Sequence, residues 1–133
     1  MRVVLDTNVL FAAFVTQGVC AGLYEECLLQ ADIIASDHIL KELAAQLVKK
    51  GKFSETDARA VVRAVRNNAE LVSPAPLETR VSRDPDDDWI LATALTANAG
   101  AIVTGDKDLL VLKRFQGIPI VTPRAFLELL QKR

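Results

Sequence analysis

Short apolar segments alternate with longer amphipathic segments throughout this chain. Five of the short segments have the length and apolar content of buried strands: residues 2–5, 33–35, 71–72, 101–104 and 118–121. The segments between them carry apolar residues at helical spacing. This alternation is typical of a parallel sheet, because each parallel connection needs a crossover that a helix usually supplies. We therefore predict an α/β fold, in which helices cover both faces of a five-stranded parallel sheet.

Capping residues and helix breakers predict where the helices begin and end. Ser36 or Asp37 can cap one helix, and S-E-T-D at 54–57 resembles a capping box. Asp84–Pro85 is typical of an N-cap followed by the first helical residue. We expect helices over 9–15, 19–30, 37–50, 54–69, 86–98, a short segment around 109–110, and from 123 onwards. Residues 73–83 hold two prolines and no helical stripe, which predicts a surface loop.

The chain has the size and composition of one ordinary globular domain. Of its 133 residues, 50% are hydrophobic and 25% are charged. Sixteen Lys and Arg against 17 Asp and Glu give a formal net charge of -1, so the overall charge shows no sign of nucleic-acid or membrane binding. No apolar run is long enough to span a membrane, and we expect a cytoplasmic protein without a secretory signal.

Acidic residues lie close to the ends of the predicted strands. Four separate segments supply them: Asp6 after the first strand, Glu42 in the helix after the second, Asp86–Asp88 at the start of the helix before the fourth, and Asp106 and Asp108 after the fourth. Each alone has an ordinary explanation, such as a helix macrodipole or a polar turn. Parallel strands share the edge at which their carboxyl ends meet, and ligands bind there, so we expect these carboxylates to converge.

Several carboxylates in one partly buried cleft need a positive partner, because like charges repel strongly where water is scarce. The chain has a single histidine, His38, and no Cys-x-x-Cys pair, so zinc ligation is disfavoured. Oxygen ligands alone favour Mg²⁺ or Mn²⁺. One or two such ions would hold a phosphate, activate a bound water and stabilise the leaving oxygen of an in-line displacement.

Four segments resemble motifs of the PIN-domain nucleases, the family that includes the toxins of VapBC-type toxin–antitoxin pairs. They are V-V-L-D-T-N-V-L at 3–10, K-E-L at 41–43, D-P-D-D-D-W-I-L-A-T-A at 84–94 and T-G-D-K-D-L at 104–109, in the family's order. The resemblance spans essentially the whole chain. It implies a single PIN domain over residues 1–133, a three-layer α/β/α sandwich with a five-stranded parallel sheet.

The resemblance also implies which residues form the site. The acidic tetrad matches Asp6, Glu42, Asp87 and Asp106. The metal ligands among them would be Asp6, Asp87 and Asp106. We choose Asp87 over its two acidic neighbours because of its spacing from the apolar stretch at 90–94, although Asp86 can also reach the metal. Asp108 resembles an accessory fifth carboxylate, and Asn8 and Thr104 match small polar positions that orient the first and fourth acids.

The implied activity is metal-dependent hydrolysis of RNA phosphodiester bonds by the toxin of a toxin–antitoxin pair. Glu42 would position or deprotonate the attacking water. RNA binding would need local positive charge, and the candidate phosphate contacts are Lys49, Lys50, Lys52, Arg80, Arg83 and Lys107. The implied partners are the RNA, a small antitoxin protein that lies in a helical groove, and a second copy of the chain in a homodimer.

Two other functions compete with this interpretation. One is a catalytically silent PIN-like module that binds RNA or protein. The other is an Asp-based phosphoryl-transfer domain, of the receiver or haloacid-dehalogenase type. The phosphatase needs D-x-D at the first strand, where this chain has D-T-N at 6–8, and the receiver needs an aspartate after the third strand, where residues 73–76 are S-P-A-P.

Overall fold

The structure is a computed structural model that describes residues 1–132. Its strands are β1 (Arg2–Leu5), β2 (Asp32–Ala35), β3 (Ala69–Leu71), β4 (Ala101–Val103), β5 (Arg114–Phe115) and β6 (Ile118–Val121). Its helices are α1 (Thr7–Val15), α2 (Val19–Gln30), α3 (Asp37–Lys49), α4 (Glu55–Asn67), α5 (Pro85–Ala97), α6 (Lys107–Leu110) and α7 (Pro123–Gln131). One or two helices thus separate successive strands, as the sequence pattern predicts, except between β5 and β6.

The strands form one sheet in the order β3-β2-β1-β4-β6-β5. All neighbouring pairs are parallel except β5 and β6. Val4 in the central strand β1 pairs with Ile34 on one side and Ile102 on the other, and all three side chains are buried. Burial on both faces explains why these strands are continuous apolar runs rather than alternating ones.

The predicted five-stranded parallel sheet is wrong in one respect, because the sheet has a sixth strand. Strand β5 pairs antiparallel with β6 through a tight turn at Gln116 and Gly117, whose φ angles are 48° and 85°. A strand of two residues is too short to show any periodicity in the sequence. Strand β3 also begins two residues earlier than the predicted segment 71–72.

Helices flank the sheet and begin at the predicted caps. The hydroxyl of Ser36 accepts a hydrogen bond from the Ile39 N–H, and the carboxylate of Asp84 accepts one from the Asp86 N–H. Helix α5 packs across β1, β2 and β4, whereas α1 packs against α2 and α3. Within residues 1–132 no single helix is long and apolar enough to cross a membrane. Helices α1 and α2 meet the length and composition limits only when taken together, and the pair is bent by 106°.

The order of the strands positions the site. From β1 the chain moves outward through β2 and β3, and then returns to pair β4 with the other side of β1. The direction of winding therefore reverses between β1 and β4, and the carboxyl ends of two such strands border the crevice in which open α/β sheets bind ligands. Asp6 follows β1, and Thr104 and Asp106 follow β4.

Candidate active site

A cleft of about 220 Å³ lies at the carboxyl ends of β1 and β4. Six of the side chains that line it are acidic: Asp6, Glu42, Asp84, Asp86, Asp87 and Asp106. Asn8, Gln46 and Lys50 complete the lining. The structure therefore brings together all four residues matched to the acidic tetrad, from four separate segments of the chain.

Thr104 connects the first and fourth carboxylates of this cleft. Its hydroxyl donates a hydrogen bond of 2.6 Å to Asp6 Oδ2 and accepts one of 3.0 Å from the Asp106 N–H. Burial raises the pKa of Asp6, although the bond from Thr104 and the backbone N–H of Asn8 act in the opposite direction. The charge of Asp106 adds to the increase. Both predicted supporting residues thus contact Asp6, Asn8 through its backbone.

Asp87 is the buried member of the three consecutive aspartates. Its side chain accepts a hydrogen bond of 2.9 Å from the Ser82 hydroxyl, and the residue is 5% exposed. Burial raises its pKa to about 7, and the nearby charge of Asp106 acts in the same direction. A carboxylate held in this environment is stabilised in its charged form by a cation.

The other two aspartates have different surroundings. Asp88 accepts hydrogen bonds from the N–H groups of Val81 and Ser82, at 3.1 and 2.7 Å, and so fixes the end of the loop at 73–83. Asp86 is exposed and lies 3.0 Å from His38 Nε2. The three consecutive aspartates thus have different contacts, although the sequence alone did not show which of them is the main metal ligand. Asp86 and Asp87 line the cleft, and Asp88 does not.

Two groups of three side chains have ligand atoms close enough to share a metal ion. In the first, oxygens of Asp87, Asp106 and Asp108 all lie within 4.8 Å of one another. In the second, His38, Glu42 and Asp86 meet the same limit. Burial raises the pKa of Glu42 to about 7, and the neighbouring Asp86 carboxylate contributes. The all-oxygen donor set of the first group fits Mg²⁺ or Mn²⁺.

The family model described as the PIN domain matches residues 2–108. The chain belongs to the PIN-domain family. No curated protein matches it.

Solved structures share the fold of this PIN domain at low sequence identity. VapBC2 from Rickettsia felis, solved with a DNA fragment from its promoter, is 18% identical with a TM-score of 0.67, over 92% of this chain and 98% of that one. VapBC-1 from nontypeable Haemophilus influenzae is 14% identical with a TM-score of 0.65, over 93% and 99%. PAE2754 from Pyrobaculum aerophilum is 18% identical with a TM-score of 0.68, over the full length of both chains.

The basic residues predicted to contact phosphate in this PIN domain differ in their distance from the cleft and in their other contacts. Arg83 pairs with Asp108 at 3.1 Å, and Arg80 donates to the backbone carbonyls of Ser82 and Arg83. Lys107 begins α6 and is exposed. Lys50 is the one basic side chain among residues 1–132 that lines the cleft. Asp108, expected as an accessory carboxylate, thus has both an arginine and the first metal-ligand group as neighbours.

Three residues of the site were missed by the sequence analysis. Gln46 lies four residues after Glu42, which is about one helical turn, and four residues before Lys50. Helical periodicity would therefore have placed Gln46 on the face of α3 that lines the cleft. Asp84 was predicted only as the N-cap of a helix, but it also lines the cleft. Ser82 gave no signal, because its contact with Asp87 depends on how an irregular loop closes.

Proposed function

We propose that this PIN domain is a metal-dependent endoribonuclease, the toxin of a toxin–antitoxin pair. The observation that carries the proposal is the convergence of six carboxylates from four segments in one cleft at the switch point of the sheet. Burial raises the pKa values of Asp6, Glu42 and Asp87, and the charge of a neighbouring carboxylate adds to each increase, so their charged forms are unfavourable in the cleft without a positive partner. A divalent cation would offset that repulsion.

Asp6, Asp87 and Asp106 are the proposed ligands of one or two Mg²⁺ or Mn²⁺ ions, with Asp86 and Asp108 as further carboxylates nearby. When bound, such an ion lowers the pKa of a water molecule and neutralises charge on the phosphate. Thr104 and Ser82 hold Asp6 and Asp87 in place through hydrogen bonds, which keeps the ligand oxygens oriented before an ion arrives.

Glu42 is the proposed base. Its carboxylate lines the same cleft as the proposed ligands, where it would position the attacking water or accept its proton. Gln46 in α3 and Lys50, the C-cap residue of α3, also line the cleft. Lys50 is therefore the proposed contact to an RNA phosphate beside the scissile bond, and Arg80, Arg83 and Lys107 would act at the rim.

The direct test is cleavage of single-stranded RNA by the purified chain with Mg²⁺ or Mn²⁺. We expect cleavage that EDTA abolishes and that Asp87→Asn lowers by at least about a hundredfold, since even residues behind metal ligands cost 10- to 100-fold. Asp57→Asn is the matched control, because Asp57 is exposed at the start of α4 and outside the cleft.

Full Mn²⁺-dependent cleavage by Asp87→Asn and Asp6→Asn would contradict the mechanism. Intact RNA in every condition would favour the silent binding module instead. The phosphoryl-transfer alternative has no support in the fold, because Val72 and Ser73 follow β3 where a receiver carries its phosphoacceptor aspartate.

The proposed partners are an antitoxin protein and a second copy of this chain, both in the cytoplasm. Two of the similar structures are of VapBC proteins, which supports the antitoxin, and a short reading frame next to this gene that encodes a DNA-binding protein is the observation to seek. For the homodimer, Leu28, Leu29 and Leu129 are 42%, 81% and 45% exposed on the neighbouring helices α2 and α7. Light scattering of the purified chain measures its oligomeric state.

A further inference from the structure

A second pocket, formed largely by aromatic and apolar surface, lies beside the acidic cleft. It has a volume of about 290 Å³, and its lining consists of Asp37, His38, Val72, Ser73, Pro74 and Trp89. The rings of His38 and Trp89 are in contact, with centroids 5.8 Å apart and planes inclined by 34°. Because Pro74 fixes its own φ, it adds a rigid third wall.

The pocket and the cleft adjoin where His38, from the lining of the pocket, contacts Asp86, from the lining of the cleft. His38 Nε2 lies 3.0 Å from Asp86 Oδ1, and Asp86 lines the cleft. Ligand atoms of His38, Glu42 and Asp86 also lie within 4.8 Å of one another. One ring edge of His38 therefore faces the carboxylates, while the same ring lines the pocket with Trp89. A ligand with a phosphate in the cleft and a flat ring attached to it would reach both.

The chemistry of the pocket differs from that of the cleft. Its one carboxylate, Asp37, is paired with Arg66 at 3.1 Å, so its charge is partly offset. Ring faces and proline provide stacking surface, and the Ser73 hydroxyl provides a hydrogen-bonding group at the edge. Unpaired bases bind proteins by stacking on aromatic side chains, whereas a base inside a duplex is unavailable for such contact.

We propose that the His38–Trp89 pocket binds one nucleobase of a single-stranded RNA whose neighbouring phosphate lies in the acidic cleft. The proposal rests on the proposed function, because the cleft must first accept an RNA phosphate. It adds a subsite that selects single-stranded RNA and fixes which phosphodiester bond lies over the carboxylates. Trp89 and His38 are thus substrate-binding residues rather than parts of the core.

The test combines an abasic scan of the RNA with a change in the pocket. Single-stranded RNA of about eight nucleotides, within the usual site size, carries one abasic position at a time. Its affinity is measured by anisotropy, with Ca²⁺ in place of Mg²⁺ to slow cleavage. In the wild type we expect one abasic position to weaken binding by roughly 5- to 150-fold, the range that base stacking supplies.

In Trp89→Leu the intact RNA should bind more weakly by a similar factor, and the same abasic position should have no further effect. Trp89→Phe should retain most of the affinity because it keeps a ring. Phe115→Leu, which removes a ring from strand β5, is the control and should leave the scan unchanged. Trp89 is the single tryptophan, so RNA binding should also quench the protein's fluorescence, and the intact RNA should quench more than the abasic one.

The abasic scan of the wild type does not depend on whether any variant folds. If every abasic position weakens binding to the wild type by the same small factor, the pocket does not bind one particular nucleobase and this proposal is overturned. If metal-dependent cleavage continues in that case, the proposed function still stands. Absence of both RNA binding and cleavage would overturn both proposals. Unchanged RNA affinity in Trp89→Leu, together with loss of a protein partner, would assign the pocket to protein contact and overturn the nucleobase site.

Discussion

Thr104 is the residue on which the geometry of two carboxylates depends. It is fully buried, and its hydroxyl joins Asp6 to the backbone N–H of Asp106. Thr104→Val keeps the shape but removes both hydrogen bonds, and it leaves a carboxylate oxygen and an N–H without this partner. We expect a loss of about 1–3 kcal/mol in the free energy of unfolding, measured by urea denaturation.

The same substitution should also weaken Mn²⁺ binding by roughly 10- to 100-fold, the cost found when a group that orients a ligand is lost. Thr104→Ser keeps the hydroxyl and is the matched variant, which should retain most of the stability and the affinity. Equal stability of Thr104→Val and the wild type would show that the hydroxyl does not hold Asp6 and Asp106 as described.

At the residue scale, the sequence predicts which acidic residues meet in the cleft better than it predicts which side chains hydrogen-bond to them. Asp6 and Asp106 follow strands, and the edge at which they meet is a consequence of parallel pairing. The choice among Asp86, Asp87 and Asp88 needed the structure, since it depends on the closure of the loop that carries Ser82. No periodicity extends through that loop, so no pattern in the sequence could have placed the Ser82 hydroxyl against Asp87.

Among the elements, the hairpin of β5 and β6 marks the limit of prediction. Buried strands with continuous apolar sequences and helices with clear caps were predicted to within about two residues, the usual uncertainty of boundaries. Strand β5 has two residues, and its pairing depends on a turn in which Gln116 and Gly117 both have positive φ. Glutamine is an unusual residue at such a position, so this turn lacks the Asn-Gly or Asp-Gly pair that would have predicted a hairpin.

The strain at Gln116 leads to a prediction for this element. Gln116→Asn should raise the free energy of unfolding by up to about 1 kcal/mol, because Asn-Gly is the preferred pair for a turn with two positive φ angles. Gln116→Val, with a branched side chain that tolerates positive φ poorly, should lower it. Thermal unfolding of the two variants checks the order, and a Gln116→Val protein more stable than Gln116→Asn would contradict this description of the turn.

For the whole molecule, a nearly neutral charge conceals an uneven distribution. The net charge of -1 combines an acidic cleft with a remainder that is mildly basic. Composition alone therefore excluded no nucleic-acid function, even though it gave no sign of one. The fold concentrates the acids by bringing four distant segments to one edge of the sheet.

The concentration of acids makes the metal-free fold sensitive to pH. Glu42 and Asp87 have pKa values of about 7 when folded, whereas in the unfolded chain they ionise near their ordinary values of about 4. Between these limits the folded state holds more protons, so these two groups lower the stability as the pH rises from about 4 to 7. We expect urea unfolding to show the wild type losing stability between about pH 4 and 7 relative to a Glu42→Gln, Asp87→Asn double variant.

Mn²⁺ should remove this loss at pH 8, because the bound cation favours the charged carboxylates. Parallel stability curves for the wild type and the double variant across the whole range would contradict the raised pKa values of the cleft.

The central claim is that the cleft carboxylates form one divalent-cation site, and calorimetric titration of the purified chain with Mn²⁺ tests it most directly. We predict saturable binding of one or two ions, weakened at least tenfold by Asp106→Asn and unchanged by Asp57→Asn at the exposed start of α4. Absence of saturable binding, or equal binding by the wild type and Asp106→Asn, would contradict it.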